Sequence, residues 1–282
     1  KLFRTQFPEA ADLYLRRALR GWAFLERALA EHGRDGSYQA LTHYGHQFGH
    51  DDELAWASAA LFAATGEREF EKRLIKSFDP DDPKTRRWSW WPMFEGWGNA
   101  ARAYVFKTRP GEVRAGDPGY RARCENLILQ TAANHVRFSR DTAYGTSFPD
   151  PNKANRNAGW FFSNERAFDL TVAYQLSPSA EIKEAVIANL NYEAGCNPVN
   201  VSFLTGVGWR RQREIVHQFA QNDHRVLAPS GIPIGNIQAG FAYLYHYKKE
   251  LGELAFPPDG ATSGAYPFYD RWGDSFNTTT EF

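Results

Sequence analysis

Hydrophobic periodicity restricts the fold of this chain more than any other feature of its sequence. Over most of its length, apolar residues recur every three to four residues, as on the buried face of an α-helix. No stretch longer than a few residues alternates apolar and polar residues in the manner of a half-buried β-strand. Gly or Pro follows several of the periodic segments, which is typical of helix ends. The pattern predicts an all-α protein, with helices at 8–31, 51–65, 67–78, 93–107, 118–140, 164–176, 179–195 and 232–251.

The composition is typical of a globular protein with a large core. Of the 282 residues, 43% are hydrophobic and 15% are aromatic, which is ample apolar material for one large domain. The sequence contains no close repeat, low-complexity tract or linker. We therefore expect residues 1–282 to form a single domain.

Charge and hydropathy exclude two classes of partner. Lys and Arg together number 33, as do Asp and Glu, so no net charge attracts a phosphate backbone or anionic lipid. The sequence has no uninterrupted run of about 20 apolar residues, the length that spans a bilayer. We expect neither nucleic acid nor a membrane as a partner.

The two cysteines, Cys124 and Cys196, lie far apart and match no CxxC metal or redox pattern. Free cysteines are among the most frequently buried residues in proteins. We therefore expect two buried free thiols, with a single disulfide as the alternative.

The segment from Asn191 to Asn236 is far longer than a normal connection between two helices. A connection of this length is usually either functional or disordered. Apolar residues along the segment argue against disorder, because they would anchor it to the fold. These residues are Phe203, Leu204, Val207, Trp209, Ile215, Val216 and Phe219. We expect the segment to carry function.

Two stretches of the chain resemble glycoside hydrolase family 9. The first is SFLTGVG, Ser202–Gly208, which with the later Asp223–Arg225 is similar to a family signature running from Ser-x-x-Thr-Gly-x-Gly to His-His-Arg. Asp223 stands where the signature has its first His, unless His217 fills that role. The second is DELAWASAALFAATGE, Asp52–Glu67, which is similar to the Asp-Glu-Leu helix of the same family.

The resemblance implies a fold and an activity. Family 9 enzymes are (α/α)6 barrels of helical hairpins that hydrolyse glycosidic bonds with inversion. We therefore expect an inverting glycoside hydrolase that cleaves β-1,4-glucan, such as cellulose or mixed-linkage glucan, or oligosaccharides derived from it. The alternatives are an exo-acting β-glucosaminidase or β-glucosidase of the same family, a catalytically inactive carbohydrate-binding relative, and a helical-barrel polysaccharide lyase. A polymeric substrate implies a secreted or periplasmic protein.

Glu281 is the candidate general acid. It lies in YPFYDRWGDSFNTTTEF, which is similar to the family segment that leads into its catalytic Glu. The spacing departs from the family pattern, since Phe276 lies one residue too far from Glu281, and either Asp270 or Asp274 matches the family's aspartate. The structural alternative is a capping box, in which Thr278 and Glu281 satisfy backbone N–H groups at a helix start.

The resemblance leaves the catalytic base unassigned. The family's base is an aspartate in an Asp-Ala-Gly-Asp motif upstream of the Asp-Glu-Leu helix, and residues 1–282 contain no such motif. The chain begins with KLFRTQFPEA, without an initiator Met or a signal segment. We therefore expect the C-terminal portion of a longer module whose N-terminal part supplies the base, or else a non-catalytic relative.

Sugar-binding residues also follow from the resemblance. His224 and Arg225 match the family's His and Arg, which donate hydrogen bonds to sugar hydroxyls. The alternative for Arg225 is a surface ion pair. Aromatic side chains stack on sugar rings, and they also serve as core or lid anchors. The candidates in connecting loops are Trp88, Trp90, Trp91, Trp160, Trp209, Tyr266, Tyr269 and Trp272, with Trp160, Tyr269 and Trp272 preferred for sugar binding.

The segment THYGHQFGHDDE is a candidate metal site. Its His43, His46 and His50 with Asp51 and Asp52 would suit zinc or another transition metal, although such residues before a helix more often serve as loop and cap residues. Some family members bind structural calcium near the Asp-Glu-Leu motif, which makes Asp52 a calcium candidate, but calcium needs several oxygen ligands. No metal ligand is assigned, and no cofactor is required for the expected activity.

Overall fold

The computed structural model describes residues 4–33, 51–86, 90–107, 115–148, 164–197, 200, 202–208 and 229–233. Within these residues the chain forms seven α-helices and a short 3-10 helix, Pro83–Thr85. The α-helices are α1 (Pro8–His32), α2 (Asp51–Thr65), α3 (Arg68–Ser77), α4 (Glu95–Lys107), α5 (Pro118–Arg140), α6 (Asn164–Leu176) and α7 (Ala180–Glu193). Across the same ranges no extended β-strand is present, and an isolated antiparallel bridge pairs Leu204 with Pro233. The predicted all-α class is confirmed.

Local sequence explains where several helices begin and end. Pro8 is the first residue of α1, a position where its missing N–H costs no hydrogen bond. Gly33 follows α1 with a φ of 60°, which favours glycine, and its N–H donates to the Leu29 carbonyl. Ser179 caps α7, because its hydroxyl oxygen accepts a hydrogen bond from the Ile182 N–H at 3.2 Å.

The observed bounds of these seven helices agree closely with the prediction. Those of α2, α5 and α6 are identical to the predicted ones, and the others differ by one or two residues. The eighth predicted helix, 232–251, does not begin where expected. Ile232 is hydrogen-bonded through its backbone to Thr205, and Pro233 forms the bridge with Leu204, so neither residue is helical. Residues 234–251 lie outside the described ranges.

The chain divides into two compact units, residues 1–128 and 129–282, with the boundary inside α5. In the first unit, α2 packs against both α3 and α4. Completely buried alanines, Ala55 and Ala59 on α2 and Ala100 on α4, allow the helices to approach closely. Beside them, Phe62 stacks on Tyr104 with ring centroids 6.1 Å apart. The prediction that residues 1–282 form one domain stays a prediction.

In the second unit, α6 packs against α7 around Leu170, Ala173 and Ala185, all of which are buried. Asn189 on α7 is also buried and satisfies its polar groups within the unit. Its amide nitrogen donates to Ser147 Oγ at 2.9 Å, and its amide oxygen accepts from the Ser147 N–H at 3.0 Å. This pair ties the chain that follows α5 to α7.

The cysteines are partly as predicted. Both are free thiols, and Cys124 is completely buried, but Cys196 is exposed. Cys196 follows the last turn of α7, where the chain leaves the helix, and so it does not reach the core. None of the helices within the described ranges is long and apolar enough to cross a membrane.

Candidate functional site

Six site residues predicted from the sequence lie outside the described residues. They are Glu281, His224, Arg225, Trp160, Tyr269 and Trp272. The structure does describe both stretches that carry the family resemblance, together with residues adjoining the segments that contain His224, Arg225 and Trp160.

The Ser202–Gly208 stretch is hydrogen-bonded to residues 229–232 through one residue, Thr205. The Thr205 N–H donates to the Ile232 carbonyl at 3.0 Å, and the Thr205 carbonyl accepts from the Gly231 N–H at 2.6 Å. The side chain adds two further bonds. Its hydroxyl donates to the Pro229 carbonyl at 2.5 Å and accepts from the Ile232 N–H at 2.9 Å. We call Thr205 and these three partners the Thr205 clamp.

The clamp is joined to the end of α7 through Phe203. The Phe203 N–H donates to the Glu193 carbonyl at 2.8 Å, and the Phe203 ring is 1% exposed. That ring packs against Tyr192, with centroids 6.0 Å apart. Burial of an aromatic ring beside a satisfied backbone group gives this part of the loop a defined position.

The second family stretch begins with a buried carboxyl group. Asp52 in the first turn of α2 is 6% exposed, and its Oδ2 accepts a hydrogen bond from the Gly96 N–H of α4 at 3.0 Å. Burial, reinforced by the neighbouring Glu53 carboxyl, raises the pKa of Asp52 to about 7. The sequence indicated Asp52 as a candidate ligand, either in the His and Asp metal cluster or for calcium. Its observed role is to link the starts of α2 and α4.

Within the described residues, no group of three or more His, Cys, Asp or Glu side chains is arranged to hold a metal ion. His43, His46 and His50 of the candidate metal segment lie outside those residues. Calcium binding at Asp52 therefore stays a prediction.

One of the candidate sugar-stacking aromatics is a core residue. Trp91 is 1% exposed and packs on Phe94, with ring centroids 4.6 Å apart. Trp90 is half-buried and stacks on Trp91 at 5.9 Å with an interplanar angle of 13°. Trp91 therefore has no open face for a sugar ring. The remaining candidates are Trp88, Trp160, Trp209, Tyr266, Tyr269 and Trp272, which lie outside the described ranges.

A buried charged cluster lies at the start of α6, directly after the segment that contains Trp160. The Arg166 guanidinium is completely buried, lies 3.2 Å from the Glu165 carboxylate and sits over the Phe148 ring. Burial lowers the pKa of Arg166 to about 10, so its side chain stays charged at neutral pH.

The neighbouring pair, His135 on α5 and Asp169 on α6, is also buried, with Nε2 and Oδ2 3.3 Å apart. Burial lowers the pKa of His135, although Asp169 opposes this shift, so the imidazole is neutral at pH 7. This cluster fixes the start of α6 to α5.

Sequence reasoning missed the contacts of Thr205 and of Asp52. Pro, Ser and Gly at 229–231 are a turn signal, so a turn was predictable there. Nothing local shows that this turn pairs with a residue 24 positions upstream, or that Asp52 meets a helix 44 residues away.

The family model described as glycosyl hydrolase family 9 matches residues 1–277 of the chain. Endoglucanase C of Cellulomonas fimi is 26% identical over 278 residues, which are 94% of this chain and 23% of that protein. Endoglucanase D of Acetivibrio thermocellus is 23% identical over 223 residues, which are 74% of this chain and 32% of that protein. The chain therefore spans less than a third of the length of these curated relatives.

Several solved structures have a fold similar to that of this chain. The glycoside hydrolase family 9 endoglucanase J30 superposes with a TM-score of 0.62 at 20% identity, covering 95% of this chain and 48% of that chain. AaCel9A, solved in complex with cellobiose-like isofagomine, superposes with a TM-score of 0.51 at 17% identity. The match covers 77% of this chain and 37% of the AaCel9A chain. With the family model matched along nearly the whole sequence, the chain belongs to glycosyl hydrolase family 9, and its helices have the fold of that family's (α/α)6 barrel.

Proposed function

We propose that the natural protein containing this chain is an inverting glycoside hydrolase that cleaves β-1,4-glucan or oligosaccharides derived from it. The family match over residues 1–277 carries the proposal. The names of the similar proteins support the substrate class, since three are endoglucanases and a fourth was solved with a cellobiose-like compound. A polymeric substrate of this kind makes an extracellular or periplasmic location part of the proposal.

Inversion requires two carboxyl groups with different protonation states. One must be protonated, in order to donate to the leaving glycosidic oxygen, and the other must be ionised, in order to activate a water on the opposite face of the sugar. We assign the first role to Glu281. The base stays unassigned within residues 1–282, because they contain no Asp-Ala-Gly-Asp motif. The two groups would lie roughly 6.5–9.5 Å apart, which leaves room for the water.

His224 and Arg225 would hold the sugar beside the cleaved bond. Both side chains donate directional hydrogen bonds to hydroxyl groups, and Arg stays charged at any relevant pH. Trp160, Tyr269 and Trp272 would stack on the apolar faces of the sugar rings. Together these contacts would align the glycosidic oxygen with the Glu281 carboxyl.

The test is Glu281→Gln in the complete natural protein. Gln preserves the shape of the side chain but cannot donate a proton, so kcat on cello-oligosaccharides should fall by about 100- to 10,000-fold. The dissociation constant for cellotetraose should change by less than about threefold, because binding does not need that proton. Turnover and calorimetric titration measure the two quantities separately.

Glu69→Gln is the matched control, since Glu69 is exposed on α3 and pairs with Lys72 at the surface. It makes the same chemical change and should leave both quantities unaltered. Wild-type turnover in the Glu281→Gln protein would contradict the acid assignment and favour the capping-box role. Glucan binding without any turnover by the wild-type protein would favour a catalytically inactive relative.

The products define the substrate more closely. Incubation with cello- and chito-oligosaccharides, followed by chromatography, separates an endo-acting glucanase from an exo-acting β-glucosaminidase or β-glucosidase by product length. Proton NMR during the reaction should show that the α-anomer forms first, as inversion at a β-linkage requires. A product that absorbs ultraviolet light as an unsaturated uronide does would instead support a polysaccharide lyase.

A further inference from the structure

Helix α1 is apolar on two sides, and in the described part of the chain only one of them is packed. On the packed side, the Trp22 ring meets the Phe70 ring of α3 edge-on, with centroids 5.6 Å apart. On the other side three aromatic rings lie open, since Phe7 is 62% exposed, Tyr14 66% and Phe24 54%. Aromatic rings bury large apolar areas where a partner covers them, and clusters of exposed apolar side chains mark contact surfaces.

The exposed rings follow a seven-residue repeat. Two positions, three residues apart, recur in each heptad, and these are the positions that face a partner helix when two helices pack along a seam. Five of the six residues at these positions are apolar or glycine, and the exception is Arg17. All six are exposed. We call them the α1 seam: Phe7, Ala10, Tyr14, Arg17, Gly21 and Phe24.

The seam continues into a part of α1 that is already covered. The next position of the repeat is Ala28, which is buried. The packed surface of the first unit therefore ends partway along this repeat, and the exposed seam is its continuation toward the start of α1.

Charge argues against a second copy of α1 as the partner. Arg17 lies near the middle of the seam with Arg16 and Arg20 beside it, and no ion pair forms at these three among the described residues. Two copies paired in register would bring the arginines together, because a central residue meets itself across a two-fold axis. The acidic side chains of Asp12 and Glu26 already have arginine partners within the chain. The seam therefore suits a partner of different sequence, with an acidic residue facing Arg17.

The part of the natural protein that precedes Lys1 meets these conditions. Elements that are consecutive in a chain usually pack beside each other. Helix α3 follows α1 and lies on its Trp22 side, so elements that precede α1 are expected on the seam. The match to J30 covers 95% of this chain but only 48% of that one, so a protein of this fold has helices beyond those described here.

We propose that the α1 seam is the docking surface for an amphipathic helix in the part of the natural protein that precedes Lys1. The helix presents an apolar stripe to the aromatic rings and an acidic side chain to Arg17. The docking does not depend on the substrate or on Glu281. Under the proposed function the same upstream part supplies the catalytic base, so the seam would join it to the part that supplies the acid.

Photo-cross-linking in the complete natural protein identifies the occupant. With p-benzoylphenylalanine introduced in place of Tyr14, the cross-linked peptide should come from upstream of Lys1 in the same molecule. A cross-linked dimer on a denaturing gel, or a cross-link to any residue after α1, would overturn the inference. The matched control carries the same photoreactive residue in place of Tyr144, which is also an exposed tyrosine, and should not react with the upstream part.

Hydroxyl-radical footprinting of the unsubstituted complete protein gives a readout that no substitution can disturb. Tyr14 is more exposed than Tyr144 in this chain, at 66% against 44%. If an upstream helix covers the seam, Tyr14 should oxidise at least about fivefold more slowly than Tyr144, which reverses the order that their exposures predict. In urea the two should oxidise alike. Faster oxidation of Tyr14 in the native protein would show an open seam and overturn the inference.

Arg17→Glu tests the acidic partner. The reversed charge would face an acidic side chain, so oxidation of Tyr14 should become at least about threefold faster than in the wild type. Arg27→Glu is the matched control, because Arg27 is exposed on α1 but does not belong to the seam. It makes the same change of charge and should leave the oxidation rate of Tyr14 unaltered. Equal rates in the wild type and Arg17→Glu would overturn the choice of partner.

None of these readouts uses glucan cleavage. A complete protein that cleaves no glucan but protects Tyr14 would contradict the proposed function and support the docking surface. A protein that cleaves glucan while Tyr14 stays reactive would do the reverse.

Discussion

The carboxyl group of Asp52, in the first turn of α2, accepts a hydrogen bond from the backbone N–H of Gly96, in the first turn of α4. The Gly96 nitrogen lies 3.0 Å from Asp52 Oδ2. A Cβ built on Gly96 would lie 2.6 Å from the Asp52 carbonyl oxygen and 2.8 Å from the Glu53 nitrogen. The two helix starts therefore touch through backbone atoms. Both the absence of a side chain at Gly96 and the buried carboxyl at Asp52 are needed for this contact, and each can be tested.

Replacing Gly96 with Ala should destabilise the protein. The methyl group would meet the backbone of α2, which cannot move aside as a side chain can, and overpacking of this kind costs about 1–3 kcal/mol or more of unfolding free energy. Gly21→Ala is the matched control, because nothing lies within 4 Å of a Cβ at that position of α1. It should raise the unfolding free energy by about 0.5–1 kcal/mol, since Gly is a poor helix former. Urea unfolding measures both values, and a neutral Gly96→Ala would contradict the close approach.

Asp52→Asn should change how stability depends on pH. The pKa of Asp52 is about 7 in the folded protein, raised by burial from its ordinary value near 4. Between those two values the folded protein holds a proton that the unfolded chain releases, so the unfolding free energy of the wild type falls as pH rises. Asn is neutral throughout and can still accept the Gly96 hydrogen bond.

As pH rises from about 4 to about 7, the unfolding free energy of the wild type should therefore fall relative to that of Asp52→Asn. Above about pH 7 the relative loss should be constant, at most about 4 kcal/mol. Urea unfolding of both proteins at pH 5 and pH 8 tests this. A difference that stays the same at the two pH values, or that grows in favour of the wild type, would show that the carboxyl group is ionised in the folded protein at both.

Tyr104→Phe should weaken the link between α4, α3 and the chain before α5. The Tyr104 hydroxyl donates to Glu71 Oε1 at 2.5 Å, and the same oxygen accepts from the Asp117 N–H at 2.7 Å. Loss of this buried bond should cost about 1–3 kcal/mol of unfolding free energy. Tyr14→Phe removes a hydroxyl from an α1 side chain that is 66% exposed, and should change stability by less than about 0.5 kcal/mol. Equal effects of the two substitutions would show that the buried bond contributes nothing.

The two thiols should differ in reactivity. Cys124 is completely buried, and burial raises the pKa of its thiol to about 12, so almost none of it is thiolate at neutral pH. Cys196 is exposed and free. Treatment of the native protein with iodoacetamide should modify Cys196 at least about tenfold faster than Cys124, whereas in urea the two should react alike. Peptide mass spectrometry gives both rates. Rapid modification of Cys124 in the native protein would show that this part of the core opens readily.

Helices were the part of the fold that could be predicted most accurately. Each hydrogen bond of an α-helix joins residues four apart, so the local spacing of apolar residues, with Pro8 at one end and Gly33 past the other, is enough to define α1. The helix predicted from Ile232 failed at its start for a related reason. Ile232 forms its hydrogen bonds with Thr205, which lies 27 residues away. The local spacing of apolar residues cannot indicate a partner at that distance.

Burial could be predicted less well than secondary structure. Trp91 and Trp90 are adjacent and have the same chemistry, yet Trp91 is buried in the core and Trp90 is only half-buried. Cys196 is exposed although free cysteines are usually buried. Each outcome depends on which elements meet at that point, and composition does not contain that information.

By itself, the sequence determined the all-α class, the bounds of seven helices and, through Ser202–Gly208 and Asp52–Glu67, the resemblance to glycoside hydrolase family 9. These features depend on residues that are neighbours in the chain. The tertiary structure alone decided that Asp52 meets Gly96 and that Thr205 holds residues 229–232. Those contacts join groups that are distant in sequence, and they form only because packing of apolar surface brings their segments together, which also removes water and shifts the pKa of Asp52.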